Sequence, residues 1–251
     1  MGLIIQALNY CSQMPVFVKI WYMTKPKIKI DIASDVVCPW CYIGKRRLEK
    51  AMDTLKDKFD FEVEYHPFEL NPEMPLEGVD QKSYLTKKFG SPERYEQITN
   101  HVTGIALQEG LNFNFDKQRV SPNTRNAHRI IQFAKQEGKQ PQVKEAMMKA
   151  YFEDGIDLSK KENLISVAAR AGLEKANVEK LLSTDEGLLE VVLAEKEMQK
   201  LGITGVPFFI VNNKYGISGA QPAETFIQAF EDIGSTPELT GEVCDTEEKN
   251  C

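Results

Sequence analysis

Between Lys27 and Phe68 the polarity pattern changes period twice. Ile28, Ile30 and Ile32 alternate with Lys27, Lys29 and Asp31, which predicts a half-buried strand within the run from Lys27 to Val37. From Tyr42 to Phe59 the apolar positions Leu48, Met52, Leu55 and Phe59 recur at helical spacing on one face. Alternation returns from Phe61 to Phe68, and a strand there would lie parallel to the first through a βαβ crossover. From about residue 79 to 201 the pattern is helical and no strand is expected. Ser121 and Pro122 mark one helix start. Val143, Ala146, Met147, Ala150 and Tyr151 form an apolar face, as do Leu164, Val167, Ala168 and Ala171 before Gly172. Thr184 or Asp185 opens a long helix over Leu189 to Leu201. Strands resume at Phe208 to Val211, the run Asn212 to Gly216 makes a hairpin turn, and Pro222 starts a last helix with Phe226, Ile227, Phe230 and Ile233 inward. The order βαβ, helices, ββα predicts an α/β fold with an inserted helical lid.

The chemistry sits at the first strand–helix junction, which reads Cys38-Pro39-Trp40-Cys41. A sulfur at a helix start faces open N–H groups and the positive end of the helix dipole, which stabilises a thiolate. The second cysteine lies one turn on, in reach of a mixed disulfide formed by the first. Pro39 fixes φ at the first helical position. These features point to a redox dithiol in which Cys38 attacks with a lowered pKa and Cys41 resolves. Half of a zinc site is the competing reading. Its other ligands would come from Cys11, Cys244, Cys251 or the histidines His66, His101 and His128, which form no second close pair, so no metal is expected. A second motif favours the redox reading. Gly205-Val206-Pro207-Phe208-Phe209 runs a glycine-flanked loop into a proline at a strand start, a candidate cis peptide.

These stretches, with Ser34-Asp35-Val36-Val37 before the dithiol, Tyr65-His66-Pro67-Phe68-Glu69-Leu70-Asn71-Pro72, Asn123-Thr124, Ala127-His128-Arg129, Tyr151 to Gly155 and Ser218 to Pro222, resemble the DsbA-like thiol–disulfide oxidoreductases, FrnE-type branch. The resemblance covers about residues 27–234. It implies an α/β thioredoxin-like fold with a large α-helical insertion. The expected divisions are an N-terminal extension over 1–26, a thioredoxin-like domain over 27–78 plus 202–234, a helical insertion over 79–201 and a flexible tail over 235–251. It implies dithiol–disulfide exchange on protein, peptide or small-molecule disulfides, with glutathione as a candidate partner and no cofactor. Pro39, Trp40, Val206 and Pro207 would border the substrate, with the Val206 backbone pairing to a bound peptide. His128, Asp35, Cys244 and Cys251 are candidate accessory residues, the last two as a second dithiol in the tail. Thioredoxin-type proteins often carry an acid six residues before the first cysteine. Ile32 stands there, leaving the base for Cys41 unassigned, with Asp31 and Asp35 as candidate relays. A kappa-type glutathione transferase or 2-hydroxychromene-2-carboxylate isomerase shares the plan, but usually with serine in place of Cys38. A zinc-binding interaction module is the non-enzymatic alternative.

Composition narrows the partners. A net charge of −6 argues against nucleic acid, and the run Lys45-Arg46-Arg47 reads as a solvated helix face. Residues 1–22 lack the positive n-region of a secretory signal and fall short of a membrane span. The expectation is a cytoplasmic protein, monomer or homodimer, with no membrane contact. Only five cysteines exclude a disulfide scaffold.

Overall fold

The computed structural model describes residues 25–235. The extension over residues 1–24 and the tail with Cys244 and Cys251 lie outside them, as does Cys11. Strand β1 (Lys27–Ser34) buries Ile28, Ile30 and Ile32, as its alternation predicts. It leads through a turn at Asp35–Val37 into helix α1 (Pro39–Leu55), and β2 (Asp60–Pro67) returns parallel to β1, with Ile30 opposite Val63. Near the C-terminal end, β5 (Phe208–Val211) pairs antiparallel with β1, and β6 (Tyr215–Ser218) pairs with β5 across a tight turn. Asn212 and Asn213 both take positive φ there, 50° and 54°, the conformation that a two-residue primed turn demands and asparagine tolerates. The sheet order is β2-β1-β5-β6, so β1, which ends at the dithiol loop, lies in the interior of the sheet.

Between β2 and β5 the chain is mainly helical: α2 (Gln81–Phe89), α3 (Pro92–Gln108), α4 (Arg125–Gln136), α5 (Gln140–Phe152), α6 (Lys161–Arg170), α7 (Lys175–Ser183) and α8 (Leu188–Lys200). Helix α9 (Ala223–Ser235) follows β6 and packs on α1. The expectation that this stretch holds no strand fails. Val79–Asp80 (β3) pairs antiparallel with Val120–Ser121 (β4). Two residues each are too short for alternation to register. Helix α8 begins later than Thr184 or Asp185, because Gly187 at φ 79° precedes its first turn. Helix α1 ends at Leu55, and Phe59 is buried in the following turn instead of on the helix.

One apolar cluster spans the sheet and the insertion. It runs from Ile28 and Ile32 through Tyr42 and Leu48 of α1 to Met147 and Phe152 of α5, and on to Phe209 and Phe226.

Candidate functional site

Cys38 occupies the N-cap of α1 with extended backbone (φ −92°, ψ 113°), and Pro39 takes the first helical position, where no N–H is needed. The Cys38 carbonyl accepts from the N–H of Cys41 at 3.1 Å, which fixes the two side chains one turn apart. Both thiols are free and buried. Trp40 projects outward instead, 38 % exposed, so it is not a core ring.

The Val206–Pro207 loop enters β5 at the same end of the sheet where β1 leaves for the dithiol, with Phe208 opposite Ala33. That peptide is cis, and the Val206 carbonyl accepts from the Cys38 thiol at 3.6 Å. Gly44 makes the approach possible. A Cβ built there would stand 3.1 Å from Pro207 Cγ and 3.2 Å from Phe209 Cζ, so a side chain at position 44 would crowd the proline loop and push its neighbours by a few tenths of an ångström. Val206 and Pro207 are therefore brought to the dithiol, as are Pro39 and Trp40 by their place in the motif.

Asp35 is fully buried three residues before Cys38. Its carboxylate accepts from the Leu70 N–H at 2.8 Å and lies 3.3 Å from His128 Nε2. Burial would raise its pKa, but the hydrogen bond and charge of His128, the Leu70 N–H and the charge of Lys144 outweigh it and hold the acid below its ordinary value. Asp35 and His128 thus form one buried unit under the dithiol loop. Asp31 does not join it. It pairs with Lys29 at 3.1 Å and with His66 Nε2 at 2.8 Å. Asp31, Glu64 and His66 are the one group of three such donors, among the described residues, whose ligand atoms lie within 4.8 Å of one another, and neither Cys38 nor Cys41 belongs to it. Lys29 and Lys135 already pair with its carboxylates.

The residue that sequence reasoning missed is Lys144. It projects from α5, is 1 % exposed, and donates to the Ser34 carbonyl at 3.2 Å with its ammonium 5.8 Å from the centre of the Tyr65 ring. Burial pulls its pKa down to about 8 against the opposing charges of Cys41, Asp35 and Cys38. The available signal was its spacing, three and four residues before the buried Met147 and Met148. A lysine there sits on the inward face of its helix.

The hydrogen bond between the two sulfurs, with Lys144 on the Cys41 side, reverses the expected order of ionisation. In the reduced pair the Cys38 thiol is pushed well above the ordinary value by its hydrogen bond to Cys41, by burial, and by the charges of Cys41 and Asp35. Cys41 is buried too, but the Cys38 hydrogen bond, Lys144, Ser34 and the Asp35 N–H overcome that cost and lower it. The first negative charge of the pair therefore rests on Cys41, on the Lys144 side, and not on Cys38. The helix start that was to favour Cys38 is offset because its sulfur is walled in beside a second sulfur.

The run Lys45-Arg46-Arg47 is a second correction. It is not a solvated face. Lys45 is 4 % exposed and pairs with Glu49 at 2.5 Å and Glu145 at 2.6 Å; Arg46 pairs with the same two carboxylates; Arg47 binds Glu109 at 2.6 Å and the Ala220 carbonyl at 2.7 Å. Tyr42 adds a hydrogen bond to Glu145 at 2.6 Å. The run ties α1 to α5, to the residue that follows α3 and to the loop before α9.

Comparison with known proteins places this arrangement. Residues 29–231 match the model of a family described as the DSBA-like thioredoxin domain. The chain is 32% identical to a probable DsbA oxidoreductase from Streptomyces coelicolor, whose crystal structure superposes with a TM-score of 0.78 over 89% of this chain and 99% of that one. It is 28% identical to the uncharacterized protein YwbO of Bacillus subtilis over 82% of this chain and 96% of the relative. The cytosolic disulfide reductase DsbM of Pseudomonas aeruginosa, crystallised with GSH, shares the fold at 17% identity and a TM-score of 0.56, covering 81% of this chain and 99% of its own.

Proposed function

Since this chain belongs to the family of DSBA-like thioredoxin domains, we propose that it is a dithiol–disulfide oxidoreductase whose reacting pair is Cys38 and Cys41. The observation that carries the reading is the placing of two free thiols at the start of α1 against the Val206–Pro207 loop, with a buried ammonium, Lys144, on the Cys41 side.

Cys38 is the attacking sulfur, because its thiol meets the Val206 carbonyl of the proline loop while Cys41 is the sulfur on the Lys144 side. As a substrate disulfide reaches Cys38, its thiol proton passes to the Cys41 thiolate. Cys38 Sγ then bonds to one substrate sulfur, the substrate S–S bond breaks, and the other substrate sulfur leaves as a thiolate that takes a proton from solvent. For resolution Cys41 must lose its proton again. Lys144, titrating near pH 8, first gives its own proton to solvent once Cys41 is neutral, then takes the Cys41 proton and stabilises the thiolate as ammonium. Cys41 attacks Cys38 Sγ, the Cys38–substrate S–S bond breaks as a Cys38–Cys41 disulfide forms, and the second substrate sulfur departs as a thiolate that takes a proton from solvent. The sum is one substrate disulfide reduced and one dithiol oxidised, and the reverse sequence oxidises a substrate dithiol. The substrates are protein or peptide disulfides, docked along Trp40 and the Val206 backbone. Glutathione is the small thiol partner, a role supported by the DsbM crystal with GSH. The helical insertion sets substrate choice.

The test is a thiol count on one sample, before and after glutathione disulfide, with zinc measured alongside. Loss of two thiol equivalents that a reductant restores, without zinc release, and that the Cys38→Ser, Cys41→Ser double variant lacks, is the expected result. A constant count, or two thiols freed only with stoichiometric zinc, refutes it.

A further inference from the structure

Helix α5 carries two polar residues on its buried face, one turn apart: Gln140, its first residue, and Lys144, 3% and 1% exposed. Residues four apart stand one above the other on a helix, so whatever fixes Gln140 also fixes the root of the Lys144 side chain. Gln140 is fixed by the edge of the sheet. Strand β2 is the outermost on its side, and an edge strand presents backbone groups that need partners. The Gln140 amide meets both groups of Tyr65: the Tyr65 N–H donates to Oε1 at 2.8 Å, and Nε2 donates to the Tyr65 carbonyl at 2.9 Å. One side-chain amide thus stands where the peptide of a further strand would. Gln132 of α4 adds a second donor to that carbonyl at 3.0 Å.

The same tyrosine receives Lys144. Its ring centre lies 5.8 Å from the Lys144 ammonium, within cation–π range. The ammonium also donates to the Ser34 carbonyl at the end of β1, the strand paired with β2. Tyr65 is therefore held through its backbone by one residue of α5 and meets another through its ring. Gln140, Tyr65 and Lys144 close a ring of contacts across the seam between α5 and β2. The rest of the helix has other anchors. Glu145 pairs with Lys45 and Arg46 of α1, and Met147 and Met148 are buried in the core. Gln140 accordingly governs where the first turn of α5 sits, not whether the helix docks.

We propose that Gln140 is a positioning residue for the dithiol: by clamping the Tyr65 backbone it sets the first turn of α5 at the depth from which the Lys144 ammonium reaches the Ser34 carbonyl and the Cys41 side of the pair. This role rests on Cys38–Cys41 exchange as the reaction. Without the clamp the Tyr65 N–H loses its acceptor, a cost that draws water into the seam. The first turn of α5 moves, Lys144 is hydrated, and its charge acts on Cys41 through a more polar medium. The reduced pair, whose negative charge rests on Cys41, loses stabilisation, and the Cys38–Cys41 disulfide gains relative to it.

The test equilibrates the full chain with reduced and oxidised glutathione at pH 7 and reads the fraction of Cys38–Cys41 disulfide by peptide mapping after acid quench. Gln140→Met raises the oxidation constant about fivefold, which lowers the reduction potential by about 20 mV. Lys144→Met raises it about tenfold, and adding Gln140→Met to Lys144→Met changes it less than twofold, because the two act through one group. Gln132→Met, which removes a donor from the same carbonyl but lies on α4, also changes it less than twofold. An unshifted Gln140→Met or Lys144→Met overturns the proposal. So does a full fivefold further shift on the Lys144→Met background, which would show an effect that bypasses Lys144, or a Gln132→Met shift as large as that of Gln140→Met. Should Gln140→Met fail to fold, Gln140→Asn, which keeps the amide one carbon short, takes its place with the same outcomes. A native chain that forms no Cys38–Cys41 disulfide at any glutathione ratio refutes the exchange and this role with it; a native chain that cycles, matched by Gln140→Met, refutes the role of Gln140 alone.

Discussion

A lysine with no exposed surface is costly, because burial removes the hydration of its charge. Lys144 is retained in such a place by the ionised carboxylate of Asp35 and by the negative charge that Cys41 carries in the reduced pair. Its influence is therefore separable from packing. Lys144→Met keeps the volume and removes the buried charge, so the fold should be as stable as before or more so. Resolution should suffer, since Cys41 loses both the base and the counter-ion. In rapid-quench experiments the mixed disulfide should persist about tenfold longer at pH 7, which corresponds to about 1.4 kcal/mol. An unchanged lifetime would remove Lys144 from the mechanism. The same residue gives a signature in stability against pH. A lysine pKa lowered to about 8 in the fold, against 10.5 unfolded, leaves the native state with fewer bound protons between those values. Stability from this group is thus recovered as pH rises from about 8 to about 10.5, and urea titrations of the native chain and Lys144→Met should differ in slope over that window.

Among the elements, α1 is the one through which fold and site communicate. Its start carries the dithiol, its Gly44 receives the Pro207 loop, and its basic run grips the insertion through Glu145. Burial would raise the Glu145 pKa, but Arg46, Lys45 and Tyr42 bring it down to about 2. A depressed carboxylate stabilises the fold above its unfolded pKa, 4.5 here, and that contribution disappears as pH falls from about 5 to 2. Glu145→Gln should cost about 1–3 kcal/mol at pH 7 and flatten the acid limb of the stability profile, both measured by urea unfolding; an identical acid limb would show that Glu145 does not hold the clamp. Gly44→Ala tests the other contact. The gain in helix propensity, about 1 kcal/mol, opposes the crowding against Pro207 Cγ and Phe209 Cζ. Stability should change by less than about 1 kcal/mol, while turnover of a protein disulfide should drop severalfold because the loop is displaced from Cys38. Unaltered turnover would mean the close approach has no catalytic weight.

At the scale of the molecule, the insertion and the sheet share one apolar core, in which α5 packs against β2 while also supporting α4 and α6. Heating should accordingly give a single calorimetric transition with matching calorimetric and van't Hoff enthalpies; two resolved transitions would show that the parts unfold separately. Much of this plan was legible in the chain because long-period signals are robust. The Ile28-Ile30-Ile32 alternation, the cysteine pair at a strand–helix junction and the Gly205-to-Phe209 loop each report local geometry. The missed features depend on partners distant in sequence. Lys45 looks like surface until Glu145 arrives from α5, Lys144 looks like a helix-surface lysine until the dithiol is set beside it, and β3 and β4 are defined only by one another.

The measurement that bears most directly on the central claim is intact mass after brief exposure of the reduced protein to glutathione disulfide, on a background in which Cys11, Cys244 and Cys251 are serine. Cys41→Ser should carry one glutathione, mapped to Cys38, while the chain with both cysteines should end as an internal disulfide with no adduct. Cys38→Ser should stay unmodified on that timescale. Glutathione accumulating on Cys41 in Cys38→Ser at the rate seen for Cys38, or a Cys41→Ser chain that takes up none, would contradict the assignment of Cys38 as the attacking sulfur.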